Sequence, residues 1–300
     1  MYVVTGATGN TGKVVAEQLL SQGKKVRAIG RHADKLQVLA AKGAEPFVAE
    51  LTDREALTRA LSGAEAVYAM IPPNVTTTDV IGYRDQVIAA FVAAIEKNNI
   101  KHAVVLSSVG ADKSEKTGPV IGLHKFEETL KKIPRLNALF LRAGYFMENT
   151  LGQTGIIRSI GKAAGPVRPD LKLPFIATSD IGRAAADALL QTDFSGQQTR
   201  ELLGQRDLDY KEATAIIGKA IGNPGLEYIQ LPNEQLRRAL QQMGMSGNFI
   251  DLLLEMAGSL NSGFMRALEK RTPQNSTPTS FENFVADTFV PLYKGHSQAA

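Results

Sequence analysis

Residues 3–16 read Val3-Val-Thr-Gly6-Ala-Thr-Gly9-Asn-Thr-Gly12-Lys-Val-Val-Ala, with glycines at every third position between an apolar run and an amphipathic stretch. A strand, a glycine triplet and a helix in this order predict a dinucleotide-binding turn. Gly6 permits the tight turn, Gly9 lets the backbone approach a pyrophosphate, and Gly12 lets the helix lie close to the sheet. Free N–H groups and the helix dipole would meet the phosphate charge. The predicted contacts therefore include Thr8, Asn10 and Thr11, whereas a glycine-rich turn without a ligand is the alternative.

Short apolar runs alternate with helical patterns through the first half of the chain. The runs cover residues 2–5, 26–29, 46–48, 66–71, 103–106 and 138–141. Runs this short suit strands that are buried on both faces, as in a parallel sheet. Strands that alternate with helices form right-handed βαβ units. We therefore expect an α/β fold with a doubly wound parallel (Rossmann) sheet.

The pattern changes after about residue 150, where helical stretches become dominant. Residues 1–150 are predicted to form an NAD(P)-binding Rossmann domain, and residues 151–300 a smaller, helix-rich substrate domain that caps the strand ends. A helix over residues 180–190, with Ser179 as its N-cap, is expected to return to the first domain. Residues 52–55 and 279–282 are predicted capping boxes, and residues 296–300 are expected to be frayed. The other predicted helices of the second half cover residues 211–221, 233–243, 249–256 and 281–290.

The end of the second strand distinguishes between two dinucleotides. In NAD sites an acid at this place accepts a hydrogen bond from the ribose 2′-hydroxyl. Here Gly30 holds that position, Arg31 follows it, and Lys35 lies one helical turn further on. The fork of an arginine suits a 2′-phosphate, so NADP(H) is favoured over NAD(H), with a solvated arginine as the alternative. At the end of the third strand, Glu50 or the backbone of Leu51 is expected to meet the adenine.

Composition excludes several classes of protein. The 300 residues include no cysteine, so there is no disulfide framework, thiolate metal site or cysteine nucleophile. The four histidines show no spacing typical of zinc sites, and no metal is expected. The net charge is +4, but the basic residues are dispersed, so small anionic molecules are favoured over nucleic acid as ligands. With no long apolar stretch and a first strand at Tyr2, we expect a cytoplasmic protein that neither spans a membrane nor carries a signal peptide.

The substrate is expected at the carboxyl ends of the strands, where ligands of open α/β sheets bind. Helices of the second half should close over these ends and exclude water. The resulting apolar pocket is predicted between Ser108, His124, Tyr145 and residues 243–256, with the nicotinamide as its floor. Cofactor contacts at the strand ends are assigned to Met70, Ile71, Pro72, Ser107 and Ser108.

The sequence resembles the NmrA-like group of atypical short-chain dehydrogenase/reductases over nearly its whole length. The resemblance implies a Rossmann fold and an NAD(P) cofactor. The group includes NADPH-dependent reductases of quinones, azo dyes and triphenylmethane dyes, and also NAD(P)-binding regulators without turnover, so the resemblance settles the fold better than the activity. It rests on the glycine turn, residues 26–31 and 51–53, Ser107-Ser108, and residues 141–149 and 180–188.

One departure from the wider family bears on the chemistry. Short-chain dehydrogenases typically carry Tyr-x-x-x-Lys, but no tyrosine lies between Ser108 and Lys125; if Lys125 is that lysine, Ile121 stands in the tyrosine position. His124 or Lys125 could contact ribose or substrate, or lie on a plain surface helix. Because the cofactor carries the hydride chemistry, the missing tyrosine argues against alcohol–ketone interconversion more than against quinone reduction. His124 and Tyr145 are the candidate proton donors, with apolar packing as the alternative role of Tyr145.

The sequence therefore favours an oxidoreductase, an NADPH-dependent reductase of quinone, dye or related small planar acceptors. The alternative is an NAD(P)-sensing regulator without turnover, which would act through a protein partner. Methionines of the second half, such as Met243 and Met256, would line an adaptable apolar pocket or belong to the core.

Overall fold

A computed structural model of the protein describes residues 1–295, and the fraying expected over residues 296–300 lies outside this range. A seven-stranded parallel sheet with helices on both faces occupies its centre. All six predicted runs form strands, with ends that differ from the prediction by at most two residues. The expected burial on both faces is wrong for the third run, because its strand lies at the edge of the sheet and is mostly exposed. The strands of the described chain are β1 (Tyr2–Val4), β2 (Val26–Gly30), β3 (Glu45–Val48), β4 (Ala66–Ala69), β5 (His102–Ser108), β6 (Asn137–Ala143), β7 (Tyr145–Phe146), β8 (Ala163–Gly165), β9 (Leu173–Ile176), β10 (Gln197–Leu202), β11 (Asp207–Leu208) and β12 (Tyr228–Gln230).

Helices follow most strands of the first half and dominate the second. A 3-10 helix over Met147–Gly152 precedes the first helix of the second half, and a π-helical turn over Val285–Phe289 interrupts the last predicted one. The α-helices are α1 (Asn10–Ser21), α2 (Ala33–Ala40), α3 (Arg54–Ala60), α4 (Val80–Asn98), α5 (Ile121–Leu130), α6 (Gln153–Ile160), α7 (Thr178–Gln191), α8 (Tyr210–Ala220), α9 (Asn233–Gln242), α10 (Gly247–Asn261), α11 (Phe281–Phe284) and α12 (Val290–Tyr293). No helix within residues 1–295 is long and apolar enough to cross a membrane.

The strand order of the large sheet is β10-β6-β5-β4-β1-β2-β3. The chain builds outward from β1 to β3 and then crosses back, so β4 lies on the other side of β1. All neighbours in this sheet pair in parallel. The predicted doubly wound parallel sheet is confirmed, and its topological switch point lies between β1 and β4, where such sheets bind ligands.

Each face of the sheet buries its own apolar layer. Val3 and Val4 are both fully buried but belong to different layers, because successive side chains of a strand point to opposite faces. On one face Phe91 of α4 packs against Phe126 of α5, with ring centroids 5.3 Å apart. On the other face Leu19 of α1 lies in the layer that α7 helps to cover. The two layers fix the strands, and therefore the carboxyl ends of the strands, relative to one another.

The second half of the chain returns to the sheet twice. Helix α7 packs along α1, and a Cβ at Gly182 would lie 2.8 Å from the carbonyl oxygen of Thr11. Strand β10 pairs with β6, although no strand was predicted over residues 196–271. This edge strand reads Gln-Gln-Thr-Arg-Glu-Leu and its first four residues are exposed, so it lacks the apolar signal of a buried strand. The division into domains 1–150 and 151–300 stays a prediction.

A third apolar cluster lies beyond the strand ends. It joins the small sheets β11-β9-β7 and β12-β8 to the helices of the second half, with Phe175, Tyr210 and Phe281 at its centre. Helix α10 packs on the 3-10 turn at Gly118–Val120 just before α5. This part of the chain therefore lies over the carboxyl ends of β5 and β6.

Three predicted N-caps are wrong by one or two residues, although the last helix begins at Phe281 as predicted. Asp53 caps α3 and Ser280 caps α11, each one residue after the start of the predicted capping box. Helix α7 begins at Thr178, whose backbone N–H donates to the Glu148 carboxylate at 3.0 Å. Ser179 therefore lies inside the helix and does not cap it. A carboxylate from a distant segment replaces the local cap, which sequence spacing does not reveal.

Candidate active site

The glycine turn between β1 and α1 has the geometry of an anion site. Gly6 has a φ of 61°, in the left-handed region that favours glycine. A Cβ at Gly12 would lie 2.3 Å from the carbonyl oxygen of Gly6, so only glycine fits this close approach. Gly9, the N-cap of α1, is exposed and extended. No side chain caps α1 and no acid lies in its first turn, so its free N–H groups and dipole are available to a phosphate.

The other three residues predicted to contact the cofactor at the turn differ in their exposure and in their hydrogen bonds within the protein. Asn10 is exposed and Thr8 half-buried beside Gly9. Thr11 is buried, and its hydroxyl accepts a hydrogen bond of 2.8 Å from the Tyr68 hydroxyl. The Thr11 hydroxyl is thus engaged within the protein, which leaves the backbone, Thr8 and Asn10 as the groups that can face a ligand.

A second part of the predicted cofactor site lies at the ends of β2 and β3. Arg31, Lys35 and Glu50 are exposed, whereas the Leu51 side chain is buried. Burial raises the pKa of the Tyr83 hydroxyl, the positive charge of Arg31 lowers it, and the negative charge of Glu50 raises it. The two charged side chains therefore lie near one half-buried tyrosine of α4. Sequence reasoning missed Tyr83, because it lies on a helix far along the chain from both partners.

A cavity of about 670 Å³ opens at the carboxyl ends of β4, β5 and β6. This volume lies within the range of small-molecule sites. Its wall includes four of the residues that were predicted to contact the cofactor at the strand ends, namely Met70, Ile71, Ser107 and Ser108. The fifth, Pro72, is not in the wall but precedes the wall residue Pro73. The remaining surface of the cavity is mostly apolar, formed by Leu106, Val109, Val120, Leu123, Leu171, Leu173, Leu203, Met256, Leu260 and Met265 among others. The volume and lining of the cavity suit a small, largely apolar molecule.

Tyr145 lies in the cavity wall and has two polar partners. Its hydroxyl is 2.8 Å from the hydroxyl of Tyr210, and the Asn149 side chain also hydrogen-bonds to it. Burial raises the pKa of the Tyr145 hydroxyl, although both hydrogen bonds favour its ionised form. Burial and the neighbouring Tyr145 raise the pKa of Tyr210 well above its ordinary value. Sequence reasoning found neither residue as part of the site: Asn149 ends a stretch that supported only the family resemblance, and nothing in the local pattern marks Tyr210.

A buried ion pair holds the strand ends below the cavity. The guanidinium of Arg142 donates two hydrogen bonds, of 2.9 and 2.7 Å, to the carboxylate of Glu127 on α5. The Ser107 hydroxyl donates to the same carboxylate at 2.6 Å. The Ser108 hydroxyl donates to the Val109 carbonyl oxygen at 2.9 Å. Both serine hydroxyls are thus engaged within the protein, and the pair fixes β5, β6 and α5 relative to one another.

His124 and Lys125 lie outside the cavity wall that the described residues form. His124 Nδ1 is 2.9 Å from the carbonyl oxygen of Ala111, and Lys125 Nζ is 2.7 Å from an Asp85 carboxylate oxygen. Leu123 contributes to the wall instead, because each residue along a helix turns about 100° from the previous one. The pocket expected from the sequence therefore has Tyr145 and Ser108 at its edge but not His124. Of the predicted range 243–256, Met256 lines the wall and Met243 does not; 71% of the Met243 surface is exposed.

Residues 263–271, which we call the strap, close one side of the cavity. Its backbone is held by Glu201 of β10, whose carboxylate accepts hydrogen bonds from the N–H groups of Leu268 at 3.0 Å and Glu269 at 2.8 Å. Glu201 is only 2% exposed, and burial raises its pKa. Met265 packs so closely on Gly110 that a Cβ there would lie 2.6 Å from the methionine Cε. Strand β10, which was not predicted from the sequence, thus positions this part of the cavity wall.

Replacing Glu201 with alanine is expected to lower the free energy of unfolding by about 2 kcal/mol, because partly buried backbone N–H groups of the strap lose their acceptor. Urea unfolding at neutral pH measures this. Glu96→Ala, at an exposed position of α4, is the matched control and should leave the unfolding midpoint nearly unchanged. An unchanged midpoint for Glu201→Ala would mean that the strap does not depend on this carboxylate.

Comparisons with known proteins agree with this architecture. The model of the NmrA-like family matches residues 2–284. The NAD(P)H azoreductase of Xenophilus azovorans is 25% identical over 303 aligned positions, which cover 100% of this chain and 99% of the relative. A (4-alkanoyl-5-oxo-2,5-dihydrofuran-3-yl)methyl phosphate reductase of Streptomyces griseus is 30% identical and covers 80% of each chain. The NADPH complex of the quinone oxidoreductase QOR2 of Escherichia coli superposes with a TM-score of 0.80 at 24% identity, covering 96% of this chain and 100% of that one.

Proposed function

Because this chain belongs to the NmrA-like family, we propose that it is an NADPH-dependent reductase of quinone, dye or related small planar acceptors. The observation that carries the proposal is the apolar cavity at the ends of β4, β5 and β6, next to the glycine turn. A cofactor bound at the turn would reach this cavity across the switch point. Both relatives, the azoreductase of Xenophilus azovorans and the reductase of Streptomyces griseus, are named as reductases, which supports a reductive chemistry.

The residues present fit a dinucleotide. The exposed backbone at Gly9 and the uncapped start of α1 would hold the pyrophosphate. Arg31 would hold a 2′-phosphate, with Glu50 and Tyr83 beside the adenosine. Met70 and the backbone of Ser107 would bound the nicotinamide. When bound, the cofactor supplies the hydride, so the chain itself has to position the acceptor, exclude water and provide a proton where the product needs one.

Tyr145 is the residue that we assign to proton donation. Its hydroxyl oxygen can accept hydrogen bonds from Tyr210 and Asn149, which leaves its own proton free for an acceptor oxygen or nitrogen in the cavity. Its raised pKa keeps it protonated at neutral pH. Hydrogen bonds in a chain polarise one another, so Tyr210 acts as a positioning residue for this proton. His124, held by Ala111 outside the cavity wall, is the weaker candidate.

Tyr145→Phe is expected to lower kcat about tenfold or more for carbonyl acceptors that become alcohols, since they need a proton from the site. Quinones should be affected much less, because their reduced form can take a proton from water. Tyr210→Phe should lower kcat for the same carbonyl acceptors by a smaller factor. Tyr228→Phe is the matched control, since its hydroxyl donates to the Val167 carbonyl oxygen at 2.9 Å. Equal rates for Tyr145→Phe and the parent protein on every acceptor would contradict the assignment.

The function is tested by following NADPH consumption with a panel of quinones, azo dyes and triphenylmethane dyes. Acceptor-dependent loss of NADPH absorbance is the expected result. Tight NADPH binding without turnover on any acceptor would instead favour the regulatory alternative, in which the chain senses NAD(P) and acts through a protein partner.

A further inference from the structure

The wall of the cavity carries an excess of positive charge. Among the described residues that line it, five are cationic and two are acidic. The acids are Asp207 and Glu269, and the cations are Arg84, Lys172, Arg266, Lys270 and Arg271. An apolar cavity does not need this imbalance to hold a neutral molecule, so the partners of each charge decide what the excess means.

Three of the five cations are used within the protein. The buried Arg84 guanidinium donates to the carbonyl oxygen of Pro119. Lys172 Nζ is 3.2 Å from an Asp209 carboxylate oxygen. Arg271 pairs with Asp207 and donates to the Leu203 carbonyl oxygen at 2.8 Å. Lys172 and Arg271 are thus paired with acids, whereas Arg84 is buried and bonded to a backbone oxygen, so none of the three is an exposed and unpaired charge.

The two remaining cations lie on the strap and have no acidic partner within residues 1–295. The one hydrogen bond from the Arg266 guanidinium is a marginal contact of 3.4 Å with the Gly263 carbonyl oxygen, and the ammonium of Lys270 makes no hydrogen bond or ion pair within that range. The acid next to Lys270 along the chain, Glu269, is engaged by the Asn275 side-chain amide at 3.1 Å. Both cations are exposed, so they stand at the mouth of the cavity.

The strap holds these two cations on a fixed backbone. Glu201 accepts hydrogen bonds from the N–H groups of two residues between them, and the buried Met265 anchors the chain just before Arg266. Asn275 also donates to the carbonyl oxygen of Lys270 at 3.0 Å. Because the backbone is already fixed, only the two side chains lose freedom when they pair with an anion.

Building on the proposed function, we propose that Arg266 and Lys270 form a subsite for an anionic substituent of the acceptor. The preferred acceptors are flat aromatic molecules whose body fills the apolar cavity and whose sulfonate or carboxylate lies at its mouth. An anion at this place stays partly in water and meets two cations, so it avoids the cost of burying an unpaired charge.

The cofactor phosphates do not account for these cations. The strap is anchored on β10, which is four strands from β1 in the sheet order. With neighbouring strands about 4.8 Å apart, this places the anchor roughly 19 Å from the strand that leads into the glycine turn. The 2′-phosphate position at Arg31 lies further still, beyond β1 at the end of β2.

The subsite is tested by calorimetry on the NADP+-saturated protein with naphthalenesulfonate and neutral naphthol as probes. The variant carries Arg266→Gln and Lys270→Gln together, and Lys219→Gln on an exposed position of α8 is the control. We expect the Kd of the sulfonate to rise about tenfold in the double variant, with a smaller change for naphthol and none in the control. An equal Kd for the sulfonate in parent and double variant would overturn the subsite, as would a matching loss of NADPH affinity in that variant.

Turnover separates this inference from the proposed function. An azonaphthol dye and its sulfonated analogue are compared by their ratio of kcat/KM, which should favour the sulfonated dye and fall about tenfold in the double variant. If neither dye nor any quinone is reduced while the sulfonate still binds as expected, the reductase proposal fails and the subsite stands. If both dyes are reduced with a ratio that the double variant leaves unchanged, the subsite fails and the reductase proposal stands.

Discussion

Gly9→Val is expected to raise the Kd for NADPH at least about a hundredfold while leaving the fold intact. At Gly9, φ is −94° and ψ is 175°, a backbone conformation that any residue adopts. A Cβ there would meet only the Gly6 carbonyl oxygen, at 3.3 Å. Valine therefore fits after a small local shift of the turn, but its methyl groups would occupy the space over the start of α1 that a pyrophosphate needs. Fluorescence titration gives the affinity, and thermal unfolding reports on the fold.

Two other glycines make this test specific. Gly155→Val, at an exposed position of α6 with no atom within 4 Å of its Cβ, should leave NADPH binding unchanged. Gly12→Ala should instead destabilise the protein, because its Cβ would lie 2.3 Å from the Gly6 carbonyl oxygen. If Gly9→Val bound NADPH as tightly as the parent protein, the ligand would have to lie elsewhere.

Arg31→Glu is expected to reverse the choice of dinucleotide. The parent protein should bind NADPH at least about tenfold tighter than NADH, because the guanidinium pairs with the 2′-phosphate. A glutamate there would repel that phosphate and could accept a hydrogen bond from a 2′-hydroxyl, so the variant should prefer NADH. Titration of both proteins with both reduced dinucleotides measures the ratio of the two Kd values.

The control for this prediction is Lys24→Glu, which makes the same charge change just before β2, at the opposite end of the strand from Arg31. It should leave the ratio of the two Kd values unchanged. Equal affinities of the parent protein for NADPH and NADH would show that Arg31 does not select the cofactor.

The parts of the fold that could be predicted depend on local patterns. The buried strands of the first half have apolar runs, and the glycine turn follows from steric rules that act over a few residues. Strand β10 could not be predicted, because it is an edge strand whose exposed residues form no apolar run. The start of α7 could not be predicted to the residue, because its first N–H group donates to Glu148, which lies in another segment of the chain.

The same division holds for the site. Gly6, Gly9 and Gly12 could be assigned because their role depends on the backbone alone. The outward rotation of His124 depends on how α5 packs on β5 and α4, which periodicity does not resolve to a single residue. The pairing of Tyr145 with Tyr210 joins residues 65 positions apart, and only the folded chain brings them together. The position of Arg266 and Lys270 at the cavity could not be predicted either, because it depends on the contact between the strap and Glu201 of β10.

The most direct test of the reductase proposal is a single-turnover experiment without oxygen. The protein is mixed with NADPH and then with a quinone, and the loss of NADPH absorbance is followed. A second run uses NADPH that is deuterated at the transferred position. We expect quinone-dependent oxidation of the bound NADPH, slower with the deuterated cofactor and absent in Gly9→Val. Bound NADPH that persists in the presence of every acceptor would contradict the account.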